Sequence, residues 1–294
     1  MPIVTIQDFT GVYAEQPFMQ KLRESAMVPG AESAATPATW LDCTKIEGTD
    51  CYCDDEAQAV LHKMMNEAVA KASAESAPGI HFFDNGNYHY MSKLWTDRVQ
   101  EPFDLVVFDH HPDMQPPRFE GILSCGGWVL EVLKNNPFVQ NVTLIGVADH
   151  LVDEIHEELS ASENAAVLGK VKFIRESELK SELATLGAQI AKSSASVYIS
   201  IDKDALSTSE AATNWDQGLL TYEQLVSTLT ALAQNHKILG IDICGERARD
   251  VDFADTSAAD AMNNDLNERL FHFLTSLVEK EMPHQVRQDI NGVS

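Results

Sequence analysis

Two short runs of this chain carry residue types that could do chemistry, and both lie where an apolar stretch stops. The first is Leu105-Val106-Val107-Phe108 followed by Asp109-His110-His111-Pro112-Asp113. The second is Val197-Tyr198-Ile199-Ser200-Ile201 followed by Asp202-Lys203-Asp204. Runs of β-branched and aromatic residues of this length read as buried strands. Alternate side chains of an extended chain point the same way, so Asp109, His111 and Asp113 share a side while His110 faces the other. By the same alternation Ser200, Asp202 and Asp204 share a side and Lys203 looks away. Pro112 has no N–H for a sheet ladder, so the first strand must finish about there. Neighbouring buried carboxylates without partners repel until one of them takes up a proton. A divalent cation removes that penalty. Oxygen and nitrogen donors without thiolate suit manganese, iron, zinc or nickel.

The elements that must position these runs alternate along the chain. Residues 2–6, 80–83, 104–108, 142–147, 171–174, 197–201 and 238–243 read as strands. Between them, helical spacing or breakers mark helices from Asp54 to the Ala-Pro-Gly near residue 79, and over 90–99, 126–133, 177–192 and 259–280. Another helix opens at Thr221, with Gln224 at capping-box spacing. The first fifty residues are the least readable, and 29–37 has the composition of a loop. Strand–helix alternation of this kind predicts one parallel sheet with helices on both faces, and no linker divides residues 1–294, so one domain is expected. Ligand crevices of such sheets form beyond the carboxyl ends of the strands, where both acidic runs fall.

The charge balance bounds the partners. Asp and Glu number 45 against 21 Lys and Arg, a formal net charge of −24. That surface repels phosphate backbones, so nucleic acid is not an expected partner, while divalent cations and small cationic molecules are. No stretch approaches the length of a membrane span, and no basic head followed by an apolar run opens the chain. Five scattered cysteines, Cys43, Cys51, Cys53, Cys125 and Cys244, argue against a disulfide framework and for a reducing cytoplasm. Cys51-x-Cys53 lacks the second pair that a zinc site would need.

The two acidic runs, in this order, resemble the D-x-H-x-D and S-x-D-x-D motifs of the ureohydrolase (arginase/agmatinase) superfamily. A histidine in a glycine-led turn about twenty residues before the first motif is a further family feature, supplied here by Gly86-Asn87-Tyr88-His89. Gly218-Leu219-Leu220-Thr221-Tyr222 is similar to the Gly-Leu-Thr-Tyr stretch that opens a family helix. The resemblance spans roughly residues 80–250. It implies a three-layer α/β/α fold around a mostly parallel sheet of about eight strands, and a binuclear manganese centre. His89 and Asp113 would hold one ion, His111 and Asp204 the other, and Asp109 and Asp202 would bridge or serve both. Two ions about 3.5–4 Å apart turn a shared water into a nucleophile at neutral pH. Asp113 would accept a hydrogen bond from it. The implied reaction is hydrolysis of a guanidino compound to urea and an amine.

On the substrate side, the strand at 238–243 delivers Asp242-Ile243-Cys244-Gly245-Glu246. Glu246 is the candidate carboxylate for the guanidinium, with Asp242 the alternative because the family motif is offset by one residue here. Three departures bear on the substrate. Cys125, in Ser124-Cys125-Gly126-Gly127-Trp128, stands where the family often has a proton-transferring histidine; it either replaces that histidine or is a small packing residue. Of the acidic pair that arginases place after the middle strand, Asp149 alone remains. Gln115 stands where arginases use a polar contact to the substrate carboxylate. Free arginine is therefore not implied, and a different guanidine, an amidine or another linear C–N bond fits as well. Two further readings stay open: a metal-holding regulatory or ligand-binding protein without turnover, and an amide or acyl-lysine deacetylase. The latter commonly needs one metal beside a histidine pair, whereas the six-ligand set here favours two. The family commonly forms trimers or hexamers, which leaves a homo-oligomer open.

Overall fold

The computed structural model describes residues 2–27, 38–71, 79–117, 122–179, 196–249 and 256–291. Strands form where the apolar runs fall: β1 (Ile3–Asp8), β2 (Ala38–Asp42), β3 (Tyr52–Cys53), β4 (Gly79–Phe82), β5 (Phe103–Phe108), β6 (Leu123–Ser124), β7 (Val139–Val147), β8 (Val171–Arg175), β9 (Ser196–Asp202) and β10 (Lys237–Cys244). Eight of them make one sheet in the order β2-β1-β4-β10-β9-β5-β7-β8, and β3 and β6 form a separate two-stranded ribbon. Every pairing in the large sheet is parallel, and the small ribbon is antiparallel.

Every residue of β5 and β9 is buried, which is why both read as largely apolar runs. Burial on both faces is the condition under which a parallel strand loses its polar alternation. The helices are α1 (Pro17–Met27), α2 (Asp55–Lys71), α3 (Met91–Thr96), α4 (Trp128–Asn135), α5 (Asp149–Ser160), α6 (Tyr222–Asn235) and α7 (Thr256–Asn291). On one face Ile6, Val106, Ile199 and Ile241 share a core with Leu225 and Leu229 of α6 and Leu266 and Leu270 of α7. On the other, Leu105, Val107, Leu144 and Tyr198 meet Leu61 and Met65 of α2, Leu94 of α3 and Val129 of α4. The result is the three-layer α/β/α architecture. Among the described residues no helix is long and apolar enough to cross a membrane.

Local chemistry sets the element ends. Thr221 and Gln224 close a reciprocal capping box at α6, with bonds of 3.2 and 3.0 Å. Asp54 Oδ1 accepts from the Ala57 N–H at 2.8 Å and caps α2. The helix expected from residue 126 starts instead at Trp128, after a 3₁₀ turn over Cys125–Gly127, because two consecutive glycines resist helix formation. β2, like the two-residue β3 and β6, is a strand the sequence did not announce. It pairs only with β1, and Ala38 alone of its five residues is buried, so it carries little apolar signal. Residues 180–192 of the helix expected at 177–192, and the loop at 29–37, lie outside the described residues.

The arrangement matters for one reason above all. β4, β10, β9 and β5 are consecutive neighbours in the middle of the sheet. Their carboxyl ends therefore open into one crevice.

Candidate metal centre

Each element contributes a group by a different local device. After β4, the Asn85 side chain accepts from the Asn87 N–H at 3.0 Å and caps a 3₁₀ turn over Gly86–Tyr88, with His89 next in right-handed backbone. Beyond β5 the chain does not stay extended. Strand geometry stops at Phe108, and Asp113 takes a left-handed φ of 48°, a conformation Asp tolerates better than most residues. Asp109, His111 and Asp113 thus meet through a bent loop, not through strand alternation. The His111 N–H donates to Asp109 Oδ1 at 2.6 Å and holds the bend. Beyond β9, Asp202 Oδ1 accepts from the Asp204 N–H at 2.9 Å and fixes the turn Lys203–Ala205. Asp204 Oδ1 in turn accepts from the His110 N–H at 3.0 Å, tying the two acidic runs together.

The six side chains converge. His89 Nδ1 lies 3.0 Å from Asp113 Oδ2, 3.1 Å from Asp109 Oδ2 and 3.5 Å from Asp202 Oδ2. His111 Nδ1 lies 2.9 Å from Asp204 Oδ2 and 3.6 Å from Asp109 Oδ1. Asp109 offers one oxygen to each group. Trp128 Nε1 donates to Asp113 Oδ2 at 2.8 Å and fixes that carboxylate.

The donor atoms are short of positive charge, and this is the test of whether cations fit. His89 Nδ1 and Asp109 Oδ2 are fully buried and make no hydrogen bond. Among the described residues no Lys or Arg forms an ion pair with Asp109, Asp113, Asp202 or Asp204. Protons fill the deficit. Burial opposes charge on His111, yet the Asp109 and Asp204 carboxylates hold its pKa up to about 12. His89 is likewise raised well above its ordinary value: burial acts against it, while Cys244 and the Asp109 and Asp113 carboxylates act for it. Burial, then the charge of Asp204, pushes Asp202 up to about 7. His89 Nε2 is engaged with Ser200 Oγ at 2.8 Å, and Ser200 Oγ with Ser92 Oγ at 2.8 Å, so Nδ1 is the nitrogen left for a cation. Four carboxylates and two imidazoles fit a pair of divalent ions.

Stability without metal should therefore depend on pH in a definite sense. Asp202 and Asp84 are raised to about 7 and Asp8 to about 6, in each case chiefly by burial. The folded chain keeps protons that the unfolded chain gives up near pH 4, so this contribution is present below about pH 4 and lost as pH rises through about 7. Raised His89 and His111 extend the decline to higher pH. Differential scanning calorimetry of chelated protein is expected to show Tm falling by several degrees over that range. Added divalent metal should recover most of the loss.

A cavity of about 330 Å³ opens above the cluster, floored by Asp109, His111, Asp113, Asp202 and Asp204. Gln115 and Cys125 stand in its wall as candidates the sequence had offered. Other candidates are not brought there. Glu246 is fully buried, and both of its oxygens are taken. Oε1 accepts from Lys203 Nζ and from Asn267 Nδ2 at 2.7 Å; Oε2 accepts from Gln16 Nε2 at 2.8 Å and Asn263 Nδ2 at 3.0 Å. It cannot also hold a guanidinium. Asp242 is two residues short of the strand tip, where it accepts from Tyr198 OH at 2.8 Å and pairs with His81 Nδ1 at 2.7 Å. Asp149 is partly exposed on the first turn of α5 and accepts from Ser177 Oγ at 2.6 Å, away from the cavity. Cys125 is a poor proton carrier, because its contact with the Cys51 thiol, burial and the nearby Asp113 charge all push its pKa up. The thiol stays protonated.

Residues that sequence reasoning passed over take these places. Glu154 and Glu158 of α5 line the mouth of the cavity, exposed and one helical turn apart. Their spacing on a helix that follows β7 was the available signal. Cys244, at the last position of β10, puts Sγ 3.2 Å from Asp202 Oδ2.

Fold and site together define the class: an arginase-like α/β/α protein whose central strand tips gather acids and imidazoles around a cavity. The chain matches the Arginase family over residues 21–263, and it belongs to that family. A Thermotoga maritima protein, itself uncharacterized, is 28% identical over 247 residues, 83% of this chain and 80% of its own. A hypothetical agmatinase from Burkholderia thailandensis superposes with a TM-score of 0.60 at 14% identity, covering 96% of this chain and 87% of that one. Arginase from Bacillus caldovelox gives 0.58 at 14% identity, covering 90% and 98%. Formimidoylglutamase from Bacillus subtilis gives 0.60 at 16% identity, covering 95% and 88%.

Proposed function

We propose that this protein is a metal-dependent hydrolase of a linear C–N bond in a small cationic guanidino or amidino compound. One observation carries the reading. His89 Nδ1 and Asp109 Oδ2, both buried and both without a hydrogen bond, face each other at 3.1 Å, and Asp109 lies on the floor of an acidic cavity. His89, Asp109, Asp113 and Asp202 would hold one divalent ion, and His111, Asp204 and Asp109 a second, with Mn²⁺ the ion implied by the family. Bound ions of this kind supply water activation at neutral pH and charge neutralisation at the reacting centre. The chain's own residues do the rest. Asp113, held by Trp128, accepts a hydrogen bond from the attacking water and orients it. The Gln115 amide hydrogen-bonds a polar substrate group in the wall. Glu154 and Glu158 draw a cation to the mouth. Residues 1–294 act as one catalytic domain in this reading.

The relatives by fold carry the names agmatinase, arginase and formimidoylglutamase, which supports a panel of guanidines and formimino compounds as test substrates. Protein purified with manganese is expected to bind about two ions per chain. It should release urea or ammonia from at least one panel member, with chelator stopping the release and metal restoring it. Full metal loading with no turnover, but tight binding of a guanidine, would favour the non-catalytic alternative, to which the protonated Cys125 lends weight.

Charge at the mouth has its own consequence. Glu154→Gln and Glu158→Gln are each expected to raise KM for a cationic substrate about twofold to fivefold, the worth of one exposed charge contact. The effect should shrink with added salt, and kcat should hold steady. Steady-state kinetics at two ionic strengths checks this.

A further inference from the structure

We propose that Cys244 is a ligand of the metal centre, and that with His89 and Asp202 it makes one of the two positions selective for a thiophilic divalent cation such as Zn²⁺. The inference rests on the metal-centre reading above but not on the identity of the substrate.

Position is the first argument. Cys244 pairs in register with Asp202 across β10 and β9, so the two side chains leave the sheet on the same face. Cys244 is fully buried. A sulfur, an oxygen and a nitrogen from Cys244, Asp202 and His89 lie within 4.8 Å of one another, a spread that one ion can span. The backbone beyond Cys244 is pressed against the same carboxylate: Gly245 has φ +93°, and a Cβ there would sit 2.3 Å from Asp202 Oδ1. No bulkier residue fits at 245, and this keeps the end of β10 close to the site.

The second argument is the neighbouring nitrogen. His89 is 1% exposed, and its Nδ1 makes no hydrogen bond while lying 3.5 Å from the Asp202 Oδ2 that Cys244 Sγ contacts at 3.2 Å. The same nitrogen lies 3.0 Å from Asp113 Oδ2 and 3.1 Å from Asp109 Oδ2, so an ion held by His89 is within reach of the Cys244 sulfur as well. Among the described residues the group that does not include His89, formed by Asp109, His111 and Asp204, contains no sulfur. Thiolate and imidazole donors favour zinc, whereas carboxylates suit manganese, so the two positions differ in preference.

The proton balance is simple. In the metal-free chain the S–H donates to Asp202 Oδ2. On binding, the S–H bond breaks, a sulfur–metal bond forms, and the proton leaves to buffer. No oxidant or reductant takes part.

The test uses full-length protein freed of metal and titrated with Co²⁺. A thiolate-to-cobalt charge-transfer band in the near ultraviolet is expected, saturating at one ion per chain. It should vanish in Cys244→Ser and Cys244→Ala, and persist in Cys51→Ser and Cys125→Ser, whose thiols also border the cavity. Zn²⁺ affinity should fall more than about 100-fold in Cys244→Ser, beyond the loss typical of an outer hydrogen-bond partner, with Mn²⁺ affinity far less affected. Zinc-edge X-ray absorption of the wild-type protein should show one sulfur at about 2.3 Å, a readout that needs no variant to fold. Two bound ions with no charge-transfer band and no sulfur scatterer would overturn the assignment while leaving the metal centre intact. A band that survives Cys244→Ser would also overturn it. Wild-type protein that binds no divalent ion at all would sink the metal centre itself.

Discussion

Asp202→Ala is expected to cost the protein both ions and to lower turnover by at least about 10³-fold, the loss that follows when a metal-activated nucleophile is removed. Asp202 has two separate duties. Oδ2 stands between His89 Nδ1 and Cys244 Sγ, and Oδ1 accepts the Asp204 N–H and so sets where the Asp204 carboxylate points. Truncation removes a donor from one position and loosens a donor of the other. Elemental analysis of dialysed variant and wild-type protein, alongside kinetics on the best substrate of the panel, reads both effects. Stoichiometric metal retained in the variant would refute the shared role. Asp202→Asn sharpens the test. It keeps the shape and the bond to Asp204 but removes a buried negative charge whose pKa stands at about 7. Metal-free Asp202→Asn should therefore be more stable than metal-free wild type above about pH 7, although it too binds metal poorly. A lower Tm for the Asn variant under those conditions would contradict the account of the charge deficit.

Glu246→Ala should act on a different property. Lys203 and Glu246 are both fully buried and paired, with Gln16, Asn263 and Asn267 completing the bonds around the carboxylate. Removing Glu246 leaves an ammonium in the core without its counter-charge, a change that costs about 3–5 kcal/mol. In a chain of this size that is a Tm loss of roughly 10 °C. Chemical denaturation should show the drop, while KM of the surviving folded fraction stays near wild type. The double variant Lys203→Met/Glu246→Leu should regain much of the stability, because no orphan charge remains. A residue that held the substrate would behave in the opposite way, raising KM and sparing Tm. The pair of measurements thus decides between the role the sequence pattern suggested for Glu246 and the one its surroundings give it.

Those two acids mark where sequence reasoning works and where it stops. Asp202 was legible because its neighbours along the chain carry the information: an apolar run, an abrupt change to acids, and a spacing of two. The surroundings of Glu246 were not legible, because they are made by groups far away in the chain. Gly245 adopts a left-handed backbone, and the chain beyond it turns toward α7, so the carboxylate meets Lys203 and Asn267 in the core. The acid of α5 was mislocated by a smaller margin. Asp149, at the start of that helix, accepts from Ser177, and the side chains that reach the cavity come one and two turns later.

What the sequence by itself determined is local. It set which segments form most of the central strands, that Thr221 and Gln224 cap a helix, and that His89, Asp109, His111, Asp113, Asp202 and Asp204 stand at or past strand ends. The tertiary structure alone decided the strand order, and with it that β4, β10, β9 and β5 lie side by side. It also turned the chain after β5 into a bend, gave the sulfur of Cys244 a place beside Asp202, and sent Glu246 into the core. The physical reason is range. Propensity, capping and alternation act over a few residues, whereas the meeting of side chains from different strands depends on pairing and packing between segments far apart in the chain.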